Sequence, residues 1–316
     1  MGGSRLLKRI CVRLLFVALA AAILWGFVSY PVEIIMPTVY ETELLPTLVS
    51  ATPVVSEIRA PEGDVSLGGV GEEDPILEGA RGDILAMMYH DLSEDPDKVG
   101  PWTTTPDTFR QNLLDLMDLG YQPLSVEEYV EGTYSLLQNY FIVTFDDGYL
   151  SNLTLAQPIL QSLGIRAAVF VITDSTRADN HMSWQQLQEA QTAGVLSLYS
   201  HTHTHMNAQN VLRDKFLLDV RQSQRNLEYY LGKGKYQMLA YPNGGYTRST
   251  MQALSREGWD LLVMQDKPSW YNPETDGKIL VRVNVTGKNP DMLHIINYNR
   301  SRTGMPLLTP KTEENT

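Results

Sequence analysis

One cysteine, Cys11, stands in 316 residues. An intramolecular disulfide is therefore excluded, and so is a thiolate metal site, since each needs further sulfurs. Cys11 lies inside an apolar run, not behind one as a lipid-modified cysteine would. Positive charge is also scarce: 25 Lys and Arg face 37 Asp and Glu, for a formal net charge of −12. Four of those basic residues, Arg5, Lys8, Arg9 and Arg13, precede Leu14, so everything downstream is more acidic still. Such a surface repels nucleic acid and other polyanions. No nucleic-acid partner is expected, no obligate protein partner is marked, and no internal repeat signals a solenoid.

What the chain does have, first, is one long apolar stretch. Leu14 to Tyr30 carries no charge, and Ile10 to Val12 extends it across Arg13 to about the length of a bilayer-spanning helix. With its basic residues on the N-terminal side, the positive-inside rule keeps residues 1–9 in the cytoplasm and exports the chain beyond the stretch. The expectation is an uncleaved single-pass anchor over 10–30 with the remainder extracytoplasmic at the cell membrane. A cleaved signal peptide is the rival, but Ala18-Leu19-Ala20 falls in the middle of the run instead of after it. Residues 31–82 are rich in Pro, Glu, Thr, Val and Gly without sustained periodicity and read as a flexible stalk. Residues 83–302 form the expected catalytic domain, and 303–316 a disordered tail.

Within the domain, short apolar runs alternate with amphipathic stretches. Strands are expected at Ile84 to His90, Phe141 to Phe145, Ala167 to Ile172, Val195 to Tyr199, Gln237 to Tyr241, Leu261 to Met264 and Leu280 to Val285. Helices are expected from Thr105 through Leu116, from Ser125, and over Thr154 to Leu163, Trp184 to Ala193, Val211 to Leu231 and Ser249 to Arg256. Thr105-Pro106-Asp107 and Ser125-Val126-Glu127-Glu128 both carry N-cap chemistry. About seven strand-helix units imply parallel pairing in a barrel-like α/β fold, with an active site at the C-terminal strand ends.

The chemistry concentrates in two places. Thr144-Phe145-Asp146-Asp147-Gly148 closes the apolar run Phe141-Ile142-Val143, and His201-Thr202-His203-Thr204-His205 comes some fifty residues later. Two adjacent carboxylates leaving a strand cannot point the same way, so one can bind a metal while the other takes a proton. His201 and His205 flank a short turn and can converge on one ion with a carboxylate as third ligand, leaving positions open for water and substrate. Zinc is the first expectation for this divalent site; cobalt, nickel or manganese suits the same donors. His203 alternates with the other two and should face away. His181 and His294 read as surface residues.

These two motifs, in this order and spacing, resemble the polysaccharide deacetylases of carbohydrate esterase family four, the NodB-homology domain, from about Ile84 to about Val285. The resemblance implies a distorted (β/α) barrel that removes acetyl groups from N-acetylated polysaccharide. It also implies Asp146 as general base and Asp147, His201 and His205 as metal ligands. In the family a proline-containing loop supplies a backbone N–H to the oxyanion. Tyr241-Pro242-Asn243-Gly244 matches that loop, which points to Asn243 as donor and to Tyr241 and Pro242 as its neighbours at the substrate.

One departure stands out. Many members have an arginine two residues before that proline, holding the catalytic aspartate; here the position is Ala240. The pattern resembles instead the branch with a Tyr-His pair on the first strand, which includes deacetylases of exported poly-N-acetylglucosamine. That likeness implies His90 as general acid, a role suited to a side chain that titrates near neutrality. Arg282 is the candidate for the missing cation beside Asp146, although a charged residue in an apolar strand more often makes a structural ion pair. Trp259 matches a family position at the acetyl pocket; Trp184, Met87, Met88 and Tyr89 read as core or pocket wall. Asn152-Leu153-Thr154 and Asn284-Val285-Thr286 fit the glycosylation pattern. Two competing readings are a metal-dependent amidohydrolase for a non-glycan amide and a catalytically inert glycan-binding protein.

Overall fold

The computed structural model describes residues 81–285 and 291–309. The expected anchor, nearly all of the expected stalk, residues 310–316 and Thr286 of the second glycosylation tripeptide lie outside the described residues. Among the described residues, no helix is long and apolar enough to cross a membrane.

The strands in chain order are β1 (Ile84–Tyr89), β2 (Asp91–Leu92), β3 (Thr103–Thr104), β4 (Tyr121–Pro123), β5 (Asn139–Phe145), β6 (Ala167–Val171), β7 (Leu196–Ser200), β8 (Met238–Ala240), β9 (Leu261–Met264) and β10 (Ile279–Asn284). Strand β1 pairs with both β5 and β10, and β5 through β10 pair in sequence, so seven parallel strands close on themselves. Strand β4 adds beside the start of β5. The pair β2–β3 forms a separate small ribbon over the end of β1.

Helices α1 (Pro106–Asp118), α2 (Val126–Glu131), α3 (Gln157–Leu163), α4 (Trp184–Ala193), α5 (Arg213–Leu231), α6 (Arg248–Arg256) and α7 (Met292–Thr303) wrap the barrel. The local chemistry sets their ends. Thr105 caps α1 through the Thr108 N–H, and Ser125 with Glu128 and Ser183 with Gln186 form reciprocal capping boxes on α2 and α4. Gly132, Gly164 and Gly194 close α2, α3 and α4 in the left-handed conformation.

Strands β1, β5, β6, β8 and β9 are buried on both faces, so strand parity decides what enters the barrel. Ala86, Ile142, Ala168, Phe170, Met238, Ala240, Leu261, Val263 and Leu280 form the interior cluster. Their neighbours of opposite parity, such as Leu85, Met87, Phe141, Val143 and Val283, pack under the helices. Three of the interior positions are alanines, which leaves room in the barrel for the large side chain of Arg282, 2% exposed.

The sequence rhythm locates the seven barrel strands within a residue or two. It does not anticipate β2, β3, β4 or α7. The first turn of the expected Thr154 to Leu163 helix is a wider π-type turn, Asn152–Ala156, that begins two residues earlier. Residues expected in a disordered tail are in part held: Thr303 completes α7, and Leu308 exchanges two hydrogen bonds with the Asn297 side chain at 2.7 and 2.9 Å.

Candidate metal centre

Strand β5 ends at Phe145, but the Asp146 N–H still donates to the Tyr89 carbonyl at 3.0 Å, so Asp146 keeps the inward parity of Ile142 and Thr144. The chain then turns sharply. Asp147 and Gly148 take φ of 72° and 83°, and a Cβ on Gly148 would meet the Val171 side chain at 3.3 Å. A left-handed non-glycine residue is a strained one, and it separates the two carboxylates, sending Asp147 toward the mouth.

His201 comes directly after β7 with inward parity. Its Nδ1 donates to the Ala240 carbonyl at 2.8 Å, which fixes the tautomer and leaves the Nε2 lone pair facing the site. Thr202 and His205 are again left-handed, with φ of 69° and 57°, which brings the second ring back beside the first at 5.0 Å. Asp147 Oδ1 lies 3.5 Å from His201 Nε2 and 3.6 Å from His205 Nε2. One donor atom from each of the three falls within 4.8 Å of the others.

These separations suit an ion. Tetrahedral zinc, with bonds of about 2.0–2.2 Å, holds its donors roughly 3.4 Å apart. Asp147 Oδ1 is buried and makes no hydrogen bond within the protein, a cost that a cation would remove. Burial and the adjacent Asp146 charge push the Asp147 carboxyl up to about 7, and burial holds His201 down at about 4 and lowers His205. At neutral pH both imidazoles are thus neutral donors, and the carboxyl stands at the edge of ionisation.

Asp146 behaves oppositely. Arg282 Nη1 and Nη2 donate to its two oxygens at 2.6 and 2.7 Å, and Nη1 also donates to Thr144 Oγ1 at 2.9 Å. Burial would raise the Asp146 carboxyl, but the guanidinium overrides it and holds the group well below the usual carboxylate range. Asp146 Oδ2 sits 3.8 Å from His201 Nε2, next to the triad but not part of it. Arg282 thus reaches Asp146 from the last strand of the barrel, while position 240 carries an alanine.

His90, inward by the parity of β1, is half-buried at the same mouth. Burial lowers its pKa, the charges of Arg282 and His205 lower it further, and Asp146 opposes them. Its ring lies 4.7 Å from that of Trp102, which is 52% exposed on the β2–β3 ribbon. Tyr149 bonds the Asp147 side chain and stacks on His181 at 4.6 Å. Sequence reading missed Trp102 and Tyr149. A signal existed for the first: a tryptophan between Pro101 and Thr103, with no apolar periodicity around it, has no core to join.

Two expectations are corrected. Tyr241 has the outward parity of β8; it stacks on Phe216 of α5 at 5.7 Å and is 1% exposed, so its side chain belongs to the layer under the helices. Asn243, exposed and left-handed at φ 54°, does stand at the barrel mouth after β8. Trp259 precedes β9, packed where α6 returns to the N-terminal ends of the strands, with neighbouring Asp260 bonded to Gln237 at the start of β8. It is 6% exposed core at the end of the barrel opposite the metal triad. His203 turns away as expected, its Nδ1 3.0 Å from Thr173 Oγ1.

Comparison with known proteins bears on the fold and the family. A family model described as polysaccharide deacetylase matches residues 135–262. YxkH of Bacillus subtilis (strain 168), provisionally named a polysaccharide deacetylase, is 26% identical over 183 residues, 56% of this chain and 62% of that one. The poly-beta-1,6-N-acetyl-D-glucosamine N-deacetylase of Escherichia coli (strain K12) is 28% identical over 138 residues, 38% of this chain and 20% of that protein. The match thus spans less than two thirds of either curated relative. Among solved structures, the Streptococcus pyogenes deacetylase PplD in complex with acetate superposes with a TM-score of 0.56 at 24% identity, over 65% of this chain and 93% of that one. That likeness is one of fold.

Proposed function

As a member of the polysaccharide deacetylase family, this chain is, we propose, a metal-dependent hydrolase that removes N-acetyl groups from an N-acetylglucosamine-containing polysaccharide. The observation that carries the reading is the unpartnered Asp147 Oδ1 between two lone-pair-bearing histidine nitrogens, with an ionised Asp146 alongside.

Asp147, His201 and His205 would hold the cation, zinc in the first instance, whose chemistry is Lewis acidity toward a carbonyl and toward water. Asp146 is the group placed to accept the proton of the attacking water. Its two bonds to Arg282 fix the direction of its lone pairs and keep it ionised, while lowering its basicity. The charge developing on the acetamide oxygen needs a donor, and the backbone N–H of Asn243 at the exposed turn is the candidate. His90, at the same mouth, would pass to the departing nitrogen the proton that Asp146 takes from the attacking water, so that one proton leaves the water and one reaches the amine.

The substrate class has its own support. One relative is named for poly-beta-1,6-N-acetyl-D-glucosamine, and Trp102 offers half of an aromatic face beside His90 on which a sugar ring can stack. An acidic surface would also favour glycan already carrying ammonium groups. Placement outside the cytoplasm, tethered by residues 10–30, rests on the charge-free run and the basic residues before it.

The deciding experiment is acetate release from N-acetylglucosamine oligomers by the full chain loaded with zinc or cobalt, beside Asp146→Asn. Release that vanishes in the variant is the expected result. A folded, metal-loaded protein that releases none would overturn the assignment.

A further inference from the structure

Helix α5 packs Phe216, Leu217 and Val220 into the layer around the barrel, yet the same side carries a line of polar residues. Asp219, Ser223 and Asn226 recur at the i, i+4, i+7 spacing of one helix face. Asp219 is 8% exposed and Ser223 fully buried. Burying such groups is unfavourable unless each finds a partner.

All three partners lie on or beside one segment, that of the metal-site histidines. Asp219 accepts from the His203 N–H at 2.9 Å, the Thr204 N–H at 3.1 Å and Thr204 Oγ1 at 2.8 Å. The Ser200 hydroxyl donates to Ser223 Oγ at 2.8 Å and accepts from the Thr202 N–H at 3.1 Å. Asn226 donates to Thr173 Oγ1 at 3.4 Å, which in turn bonds His203 Nδ1. Asp219 makes no ion pair among the described residues, so the donors of this loop alone satisfy its charge.

We propose that Asp219 is a positioning residue for the metal centre, the principal member of a polar stripe that clamps residues 200–204 in the conformation bringing His201 and His205 together. This rests on reading the Asp147, His201 and His205 cluster as a metal site. The loop needs such a clamp. It holds two left-handed non-glycine residues, Thr202 and His205, whose backbone is unfavourable by itself and persists where surrounding bonds over-determine it. His203 thereby acquires a part: it is an anchor of the loop and not a ligand.

The test is zinc affinity of the full chain, measured by competition with a chromogenic chelator, for wild type, Asp219→Ala and Thr204→Val. Thr204 is exposed, and its substitution deletes one bond to Asp219 without touching a ligand or the core, so it keeps the test open if Asp219→Ala does not fold. Expected is a loss of about 10- to 100-fold for Asp219→Ala and a several-fold loss for Thr204→Val. The metal-free Thr204→Val protein should remain folded with only a small drop in melting temperature, because Asp219 keeps its two backbone donors, and kcat and KM at saturating zinc should match wild type. A wild type that binds zinc, with both variants binding equally tightly, would overturn this inference alone. A wild type that binds no zinc would overturn the metal-centre reading together with it.

Discussion

Arg282 and Asp146 meet inside the barrel through two parallel hydrogen bonds of 2.6 and 2.7 Å, both residues almost completely withdrawn from solvent. A buried pair of this kind gains little over an apolar replacement, but removing one partner strands the other charge. Arg282→Met should therefore lower stability by about 3–5 kcal/mol and abolish acetate release. Arg282→Lys keeps the charge without the planar fork, and should retain most of the stability while losing activity. Denaturant titrations beside activity assays separate the two effects.

Asp147 makes the metal-free protein sensitive to pH. Its carboxyl is raised from 3.8 to about 7, so the folded state binds a proton that the unfolded state has released. That contribution to stability is complete below about pH 4 and is lost as pH rises to about 7, at up to about 1.4 kcal/mol per pH unit. His201 and His205, whose depressed pKa values make the folded state gain stability as pH rises toward 6.5, oppose this over the same range, so the Asp147 contribution is read as a difference. In a chelator, the melting temperature of wild type relative to Asp147→Asn should fall between pH 5 and pH 7 and level off above, and saturating zinc should reverse that difference.

Trp102 tests the substrate class. Trp102→Ala should raise KM for N-acetylglucosamine oligomers roughly three- to tenfold, the size of an aromatic contact worth about 0.5–1.5 kcal/mol, with kcat nearly unchanged. Because the ring is half exposed, stability should stay within about 0.5 kcal/mol of wild type. An unaltered KM would assign Trp102 to covering His90 alone.

Trp259 should behave as core. Trp259→Ala is expected to cost about 3–5 kcal/mol without changing KM in the protein that remains folded. A selective rise in KM with intact stability would return it to the acetyl pocket.

The cluster of carboxylates and histidines was legible because its signals are local, acidic or histidine residues directly after apolar runs; which carboxylate joins the histidines, and the need for a cation that pointed to Arg282, came from the family resemblance. Parity would also have turned Tyr241 outward, since Ala240 and Tyr241 are neighbours on one strand and cannot both face in. Trp259 misled because similarity of position was weighed above topology: a residue just before a strand expected at Leu261 to Met264 stands at its N-terminal end, away from a site at the C-terminal ends. Asp219 was illegible for a different reason. Its partners are mainly backbone N–H groups, which every residue has, so no pattern of side chains announces them. Strands β2 and β3, two residues each, are too short to carry any periodicity.

Ala86, Ala168 and Ala240 leave the barrel hollow where other interiors are filled with hydrocarbon, and a guanidinium occupies the gap. The scaffold and the reagent are therefore the same object. A larger residue at Ala86, the register partner of Arg282 on the neighbouring strand, would crowd the cation that tunes Asp146, whereas a smaller tenant at position 282 would empty the core it now fills. Such a barrel resists gradual drift in its interior: its packing can change only together with the acidity of the group that does its chemistry.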